Sequence, residues 1–262
     1  MDKANLIIRG FLFKKDRVQG CGAEGWWNYD INFFYVMPAY LRLIKSLSKK
    51  YELSVYFSSY DTTPSKMLEC LSEMITIKEI IISPEENSCQ FTTMHSALKK
   101  CSRDLTFIIR SDLIMKEKMI TAICDFKYKL NSIYVFCHEN SEGGVIDDNV
   151  IDVFHVASGK KIDDLLESPI DSHGTLLPHA NHMHQLHHGL DVEYILPHDE
   201  SGLPLVDYVD TYKNDFWEIY RQAPYSYLYE YNDFNQGRDS RPLDWDDIQA
   251  AFKAAKMFDK FG

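Results

Sequence analysis

The segment 107-FIIRSDLIM-115 joins a short run of interior-strand residues to charged residues at its end. Three apolar residues lead into Arg110 and Asp112, and apolar residues resume at Leu113. A guanidinium and a carboxylate are costly to remove from water unless they are paired or serve a ligand. The segment therefore predicts either an ion pair at a loop or a binding site at the end of a buried strand.

Composition limits the classes of protein to consider. The chain has 262 residues, of which 45% are hydrophobic and 26% charged, as expected for one globular domain with an appended segment. A net charge of -11 argues against a general nucleic-acid partner, although it leaves room for a local basic pocket that binds one phosphate ligand. Six scattered cysteines without a CxxC pair, no signal-peptide core and no membrane span predict a cytoplasmic protein with reduced thiols.

Strand-like and helix-like segments alternate along the first two thirds of the chain. This alternation predicts βαβ units and a mainly parallel sheet flanked by helices. Past residue 170 the pattern changes, and an amphipathic helix is expected near the end of the chain. The predicted strands are 5–13, 52–59, 78–83, 104–110, 132–138 and 150–158, and the predicted helices are 33–50, 65–75, 89–101, 116–126 and 245–261.

Polar residues follow several of these strands. Ligands of open parallel sheets bind beyond the carboxyl ends of the strands, so such residues should gather at one edge. Arginines suit a diphosphate because their planar fork forms paired hydrogen bonds to phosphate oxygens. A neighbouring carboxylate can hold a divalent cation or accept a proton from an attacking hydroxyl. The candidates are Arg9–Gly10, Tyr60–Asp61, Arg110–Asp112, His138–Glu139 and an acidic loop at 142–148.

Four motifs in this order resemble small viral and bacterial glycosyltransferases of GT-A-like fold, particularly the chlorovirus type and the WavE-like lipopolysaccharide-synthesis proteins. They span most of residues 5 to 195. The R-x-D of the third motif stands where these enzymes usually carry DxD, with Arg110 at the place of the first aspartate. The motifs are IIRGFLF (7–13), YFSSYDTT (56–63), FIIRSDLI (107–114) and IDDNVIDVFHVASGKKIDDLL (146–166).

The resemblance implies a GT-A-like catalytic domain over residues 1–195 and a helical C-terminal extension, 196–262, packed on the same domain. It implies sugar transfer from a nucleotide-diphosphate sugar to a glycan or glycoprotein acceptor, in the host cytoplasm if the protein is viral. By this resemblance Asp112 would bind Mn²⁺ or Mg²⁺, or else the donor's ribose or sugar. Arg9, Gly10 and Arg110 would bind the donor's phosphates or sugar, and Tyr60 and Asp61 would bind the nucleoside. Asp148 and Asp152 would act as the catalytic base or bind the sugar.

Two other classes of function stay open. Histidines between 179 and 188 could form a zinc site of a hydrolase, but a helix starting at Pro178 places His184 and His188 away from its apolar face, and HExxH is absent. A non-catalytic module that binds nucleotide sugars or glycans is the other alternative. The aromatic segment 224–236 could line a carbohydrate groove in either case.

Overall fold

The architecture was analysed in a computed structural model. The structure describes residues 1–14, 31–33, 37–85, 90–111, 113–115, 117–139, 145–167, 192–195 and 206–208. The predicted histidine-rich helix and the predicted C-terminal helix both lie outside these ranges.

A seven-stranded sheet forms the centre of the described part. Its strands are β1 (Asp2–Arg9), β4 (Tyr51–Tyr60), β5 (Glu79–Ser83), β6 (Leu105–Arg110), β8 (Ile133–Glu139), β9 (Val145–Ala157) and β10 (Val192–Ile195). They are arranged in the order β10-β8-β9-β6-β1-β4-β5. All neighbouring pairs are parallel except those of β9, which runs antiparallel to both β6 and β8.

The two central strands, β1 and β6, are apolar on both faces. Leu6 and Ile8 point to one face of the sheet, while Ile7 points to the other, and all three are fully buried. A strand that is covered on both faces has a continuous run of hydrophobic residues in its sequence. This explains the segments LIIR (6–9) and FIIR (107–110).

Helices cover both faces of this sheet. One face packs against α1 (Met37–Ser48), α2 (Ser65–Met74) and α4 (Glu117–Asp125), and the other against α3 (Gln90–Leu98) and α5 (Lys160–Glu167). No helix in the described ranges is long and apolar enough to cross a membrane.

Two strand predictions, 5–13 and 150–158, were wrong in extent. The first strand ends at Arg9 and not at residue 13, because Gly10 adopts a φ of +110° that breaks the extended chain. Phe13–Lys14 (β2) instead pairs antiparallel with Ile31–Asn32 (β3). The predicted acidic loop at 142–148 is also partly wrong, since β9 already begins at Val145 and includes Asp148.

Two short strands outside the main sheet connect distant parts of the chain. Leu113–Met115 (β7) follows β6 directly, and Val206–Tyr208 (β11) pairs with it in antiparallel fashion. A segment beyond residue 195 therefore contacts the strand that follows the R-x-D motif.

Candidate functional site

The carboxyl ends of β1, β4, β5 and β6 meet at one edge of the sheet. We call this the carboxyl edge, and define it by Arg9–Phe11, Tyr60–Asp61, Ser83 and Arg110–Ser111. Because β9 is antiparallel, its first residues approach the same edge. The topology thus brings five of the predicted residues to one edge: Arg9, Gly10, Tyr60, Asp61 and Arg110.

Two arginines lie side by side at this edge. Arg9 and Arg110 are the last residues of β1 and β6 and are register partners in the parallel ladder. Side chains two positions apart share a face, so both arginines lie on the α3 side, with Ile7 and Ile108. Arg9 is only 1% exposed and Arg110 is half-buried. A concentrated positive charge therefore lies partly inside the protein at the ends of its central strands.

The α3 side of this edge carries further buried polar groups that the sequence analysis did not single out. Helix α3 packs against β1, β4 and β5, and its Thr93 and His95 are buried. Burial lowers the pKa of His95 to about 4, with smaller contributions from the charges of Lys99 and Arg9. His95 is thus neutral near pH 7, and its interaction with the Arg9 charge shows that the two side chains lie near each other.

Ser58 and Thr93 extend this polar layer. Both side chains are fully buried, and within the described ranges neither hydroxyl has a hydrogen-bond partner. Ser58 is the register partner of Arg9 on β4. The sequence did contain a signal for this buried polar layer. Thr93 and His95 lie in a helix that has to pack on the sheet, and Ser58 and Ser59 lie inside strand β4.

The turn after β1 is fixed by hydrogen bonds to both neighbouring strands. The Gly10 N–H donates to the Ser58 carbonyl at 3.0 Å, and the Ser111 N–H donates to the Arg9 carbonyl at 2.8 Å. The Ser111 hydroxyl donates to the Phe11 carbonyl at 2.6 Å. A Cβ on Gly10 would lie 3.2 Å from the Ser111 oxygen, so its positive φ and this close approach both favour glycine.

Backbone amides in this turn are already engaged. The Gly10 N–H is used as described, and the Leu12 N–H donates to the Ser59 hydroxyl at 3.2 Å. Phosphate sites on glycine-rich loops instead depend on backbone N–H groups that point at the ligand. In the described part of this edge, positive charge is therefore carried by the side chains of Arg9 and Arg110.

The end of β4 is more closed than the sequence indicated. Tyr60 is 2% exposed, and its ring centroid lies 4.4 Å from that of Phe11. Stacking of Tyr60 on a nucleotide base would require Phe11 to move. Asp61 is exposed, and its Oδ1 accepts a hydrogen bond from the Glu85 N–H at 3.0 Å, so one carboxylate oxygen organises the loop after β5.

Strand β9 contributes backbone positions at the same edge. Its pairing with β8 shifts register between Val135, opposite His155, and Phe136, opposite Ile151. Asp152 lies in the resulting irregular stretch. Such bulges occur often beside active sites, where they redirect side chains. His155 itself is fully buried opposite Ile108 of β6.

Several predicted site residues cannot be placed at the level of side chains. Asp112 lies outside the described residues, as do residues 179–188, and Asp148 and Asp152 are described by their backbone alone. Within the described ranges, no group of three or more His, Cys, Asp or Glu side chains could hold a metal ion.

No protein-family model matches the sequence, and a comparison with curated proteins finds no match. Among solved structures, the inositol-1-phosphate CTP transferase of T. maritima superposes with a TM-score of 0.50 and 13% identity over 98% of this chain and 96% of that chain. A CMP:2-keto-3-deoxy-manno-octonic acid synthetase complexed with CTP gives 0.48 and 10%, over 80% and 94% of the two chains. A putative glucose-1-phosphate thymidylyltransferase from Bacillus anthracis, in complex with a sucrose, gives 0.48 and 9%, over 75% and 87%.

At these identities the likeness concerns the fold alone. The predicted fold class is confirmed: the protein has a GT-A-like, Rossmann-like α/β fold with a mainly parallel sheet flanked by helices.

Proposed function

We propose that the protein is a glycosyltransferase that binds a nucleoside-diphosphate sugar at the carboxyl edge and transfers the sugar to a hydroxyl of a glycan. The observation that carries this proposal is the register pair of Arg9 and Arg110 at the ends of the two central parallel strands. The similar structure with the highest TM-score above is named for a reaction of CTP, which supports a nucleotide as the ligand of this edge.

The burial of the two arginines assigns them different tasks. Arg110 is half-buried and can present its guanidinium fork to the donor's diphosphate. Arg9 is enclosed behind it, and its fixed charge stabilises negative charge at the edge without direct contact. Two positive charges offset the two negative charges that the diphosphate carries in the donor, and they stabilise the further charge that it gains as the bond to the sugar breaks.

The reaction needs a base as well as a stabilised leaving group. The acceptor oxygen attacks the anomeric carbon, the bond from that carbon to the phosphate oxygen breaks, and its electron pair leaves with the nucleoside diphosphate. The acceptor's hydroxyl proton passes to a carboxylate if the anomeric centre inverts. Asp112, Asp148 and Asp152 are our candidates. The choice of Asp152 is supported by its backbone position, two residues before Phe154, which pairs with Ile109 of β6.

The described residues supply two positive side chains for the leaving-group charge, Arg9 and Arg110. We assign that charge to these arginines. The sequence-based prediction that Asp112 binds Mn²⁺ or Mg²⁺ is tested separately, by measuring turnover in excess EDTA.

Nucleotidyl transfer is the competing reaction, because the fold likeness includes an enzyme that uses CTP. That reaction must hold a triphosphate and expel pyrophosphate, a larger negative charge. The backbone amides of Gly10 and Leu12 are engaged internally, which leaves this turn less suited to cradle a triphosphate. A non-catalytic binding module would show neither reaction.

One pair of assays distinguishes these functions. A panel of nucleotide sugars with mixed glycan acceptors is scored for release of nucleoside diphosphate, with donors preselected by thermal shift. A parallel panel of nucleoside triphosphates with sugar 1-phosphates is scored for pyrophosphate. Glycosyl transfer predicts acceptor-dependent release in the first panel only. Pyrophosphate release would overturn the proposal in favour of nucleotidyl transfer, and donor binding without either product would favour the binding module.

A further inference from the structure

Large hydrophobic side chains are exposed mainly at the opposite edge of the sheet. Four such residues occur within the described ranges. Met1 (84% exposed) directly precedes β1, and Phe126 (40%) and Leu130 (80%) lie in the loop that leads from α4 to β8. Single exposed hydrophobic residues need no explanation, but a group of them on one surface does.

Hydrogen bonds show that the segments carrying these residues adjoin one another. The Lys50 ammonium bonds to Asp125 at 2.8 Å, beside Phe126. The Asn131 N–H donates to the Ser158 hydroxyl at 3.0 Å, and the Lys160 N–H donates to the Asn131 side chain at 3.2 Å. The start of β1 lies beside the start of β4, with Asp2 opposite Tyr51. We call this surface the amino edge and define it by residues 1–3, 49–51, 75–78, 99–104, 125–132 and 158–161.

The charge of the amino edge is opposite to that of the whole protein. These segments contain eleven lysines or arginines and three aspartates, although the net charge of the chain is -11. Three of the cations, Lys100, Arg103 and Lys161, pair with acidic residues just outside the segments, so the edge keeps a smaller positive excess. Lys127 and Lys129 alternate with Phe126 and Leu130 and are exposed. Within the described ranges, this edge therefore combines a positive excess with the exposed hydrophobic residues.

The turn that presents Leu130 is well fixed. Asn131 has a φ of +58° and bonds to both Ser158 and Lys160. Gly159 also has a φ of +58°, and a Cβ there would lie 2.0 Å from the Asn131 side-chain oxygen. Phe126 rests on Tyr128 and Tyr134, with ring centroids 5.0 and 5.2 Å away. Both hydrophobic residues are thus held on an ordered surface.

We propose that the amino edge binds the surface of a membrane that contains anionic lipids. Phe126 and Leu130 would enter the headgroup region, while the surrounding lysines interact with lipid phosphates. Basic residues near such a surface each strengthen binding about fivefold. The carboxyl edge would then face away from the membrane, roughly 25 Å above it, as the eight residues of β1 imply. This inference does not depend on the proposed reaction.

Two features favour a membrane over a nucleic acid. Ten of the eleven basic residues are lysines, whereas recognition of phosphate and bases commonly uses the arginine fork. The surface also follows six neighbouring strands, roughly 25 Å across, and its most exposed hydrophobic residue is a leucine, which cannot stack on a base. An extended anionic plane fits this arrangement without a groove.

Co-sedimentation of the full chain with vesicles tests the proposal. Vesicles of phosphatidylcholine with 30% phosphatidylglycerol should bind the protein at low salt, and pure phosphatidylcholine vesicles should bind it weakly. The double variant Lys127→Glu with Lys129→Glu should lower the affinity roughly 20-fold or more. Leu130→Ala should lower it about fivefold.

Matched controls exist elsewhere on the surface. Lys66→Glu changes an exposed lysine of α2, and Ile82→Ala changes the fourth exposed hydrophobic residue, on β5. Both variants should bind the anionic vesicles as the parent does. No binding to the anionic vesicles at low salt, equal binding by the double variant, or binding to single-stranded RNA without binding to vesicles would each overturn the proposal.

Discussion

The two edges of one sheet use charge in opposite ways. At the amino edge Arg103 is partly exposed, and its guanidinium forms an ion pair with Asp163 at 2.7 Å. At the carboxyl edge Arg9 is enclosed and Arg110 is half-buried beside it. Burying a charge is costly, so a protein keeps charge inside where partners or ligands compensate that cost. The carboxyl edge thus keeps its arginines largely inside the protein, whereas the amino edge holds Arg103 in an exposed ion pair, and our proposals assign a ligand to the first edge and a membrane surface to the second.

The largest expected effect is on the rate of sugar transfer, and it should differ between variants of two aspartates that lie just beyond the opposite ends of β6, Asp112 and Asp104. Asp112→Ala should reduce sugar transfer at least 1,000-fold, about 4 kcal/mol of transition-state stabilisation, because we assign Asp112 to the reacting groups. Asp104→Ala, at the amino edge, should leave transfer unchanged although it removes an acceptor of the Ser102 hydroxyl. Turnover of both variants, with circular dichroism to check folding, measures this. Normal transfer by the Asp112 variant would remove that residue from the site.

The two edges can also be compared through two glycines with positive φ, Gly159 and Gly10, by the effect of their replacement on the free energy of unfolding. Gly159→Ala at the amino edge should lower the free energy of unfolding by about 2 kcal/mol, because its positive φ disfavours a side chain and its Cβ would displace the Asn131 side chain from the Lys160 N–H. Gly10→Ala at the carboxyl edge meets less overlap and should cost about 1 to 2 kcal/mol. Urea unfolding gives both values.

Activity adds a second comparison for these glycines. Gly10→Ala should impair transfer by the folded protein, since the turn positions Arg9 and Ser111, whereas Gly159→Ala should not. The reverse order of effects on activity would contradict the assignment of the two edges.

The buried histidine of α3 predicts how stability depends on pH. The pKa of His95 is lowered to about 4 in the folded protein, against an ordinary 6.5 when unfolded. Between these two pKa values the unfolded chain binds a proton at His95 that the folded protein does not bind. The folded protein therefore loses stability as the pH falls from about 6.5 to 4. The loss due to His95 should be about 2 to 3 kcal/mol.

His95→Gln supplies the control for this effect. Chemical unfolding of both proteins at pH 7 and pH 4.5 should show a smaller loss in the variant, because other titrating groups are common to the two. Equal losses would show that His95 is not held neutral by burial.

Much of the carboxyl edge could be predicted from sequence because it depends on local patterns. Apolar runs such as LIIR and FIIR identified the central strands, and a parallel sheet places their ends together. The antiparallel direction of β9 could not be predicted, because the hydrophobic pattern of a strand does not indicate whether it runs parallel or antiparallel to its neighbours. Ser58, Thr93 and His95 were missed because only the packing of α3 on the sheet makes them buried.

The most direct test of the account compares Arg110, the last residue of β6, with Arg103, which lies just before the same strand at the amino edge. Lysine keeps the charge of Arg110 but loses the fork that holds a diphosphate. Arg110→Lys should weaken calorimetric binding of the preferred nucleoside diphosphate about tenfold, or about 1.4 kcal/mol, while Arg103→Lys leaves it unchanged. Unchanged affinity in the Arg110 variant, or equal weakening in both, would contradict the assignment of donor binding to the carboxyl edge.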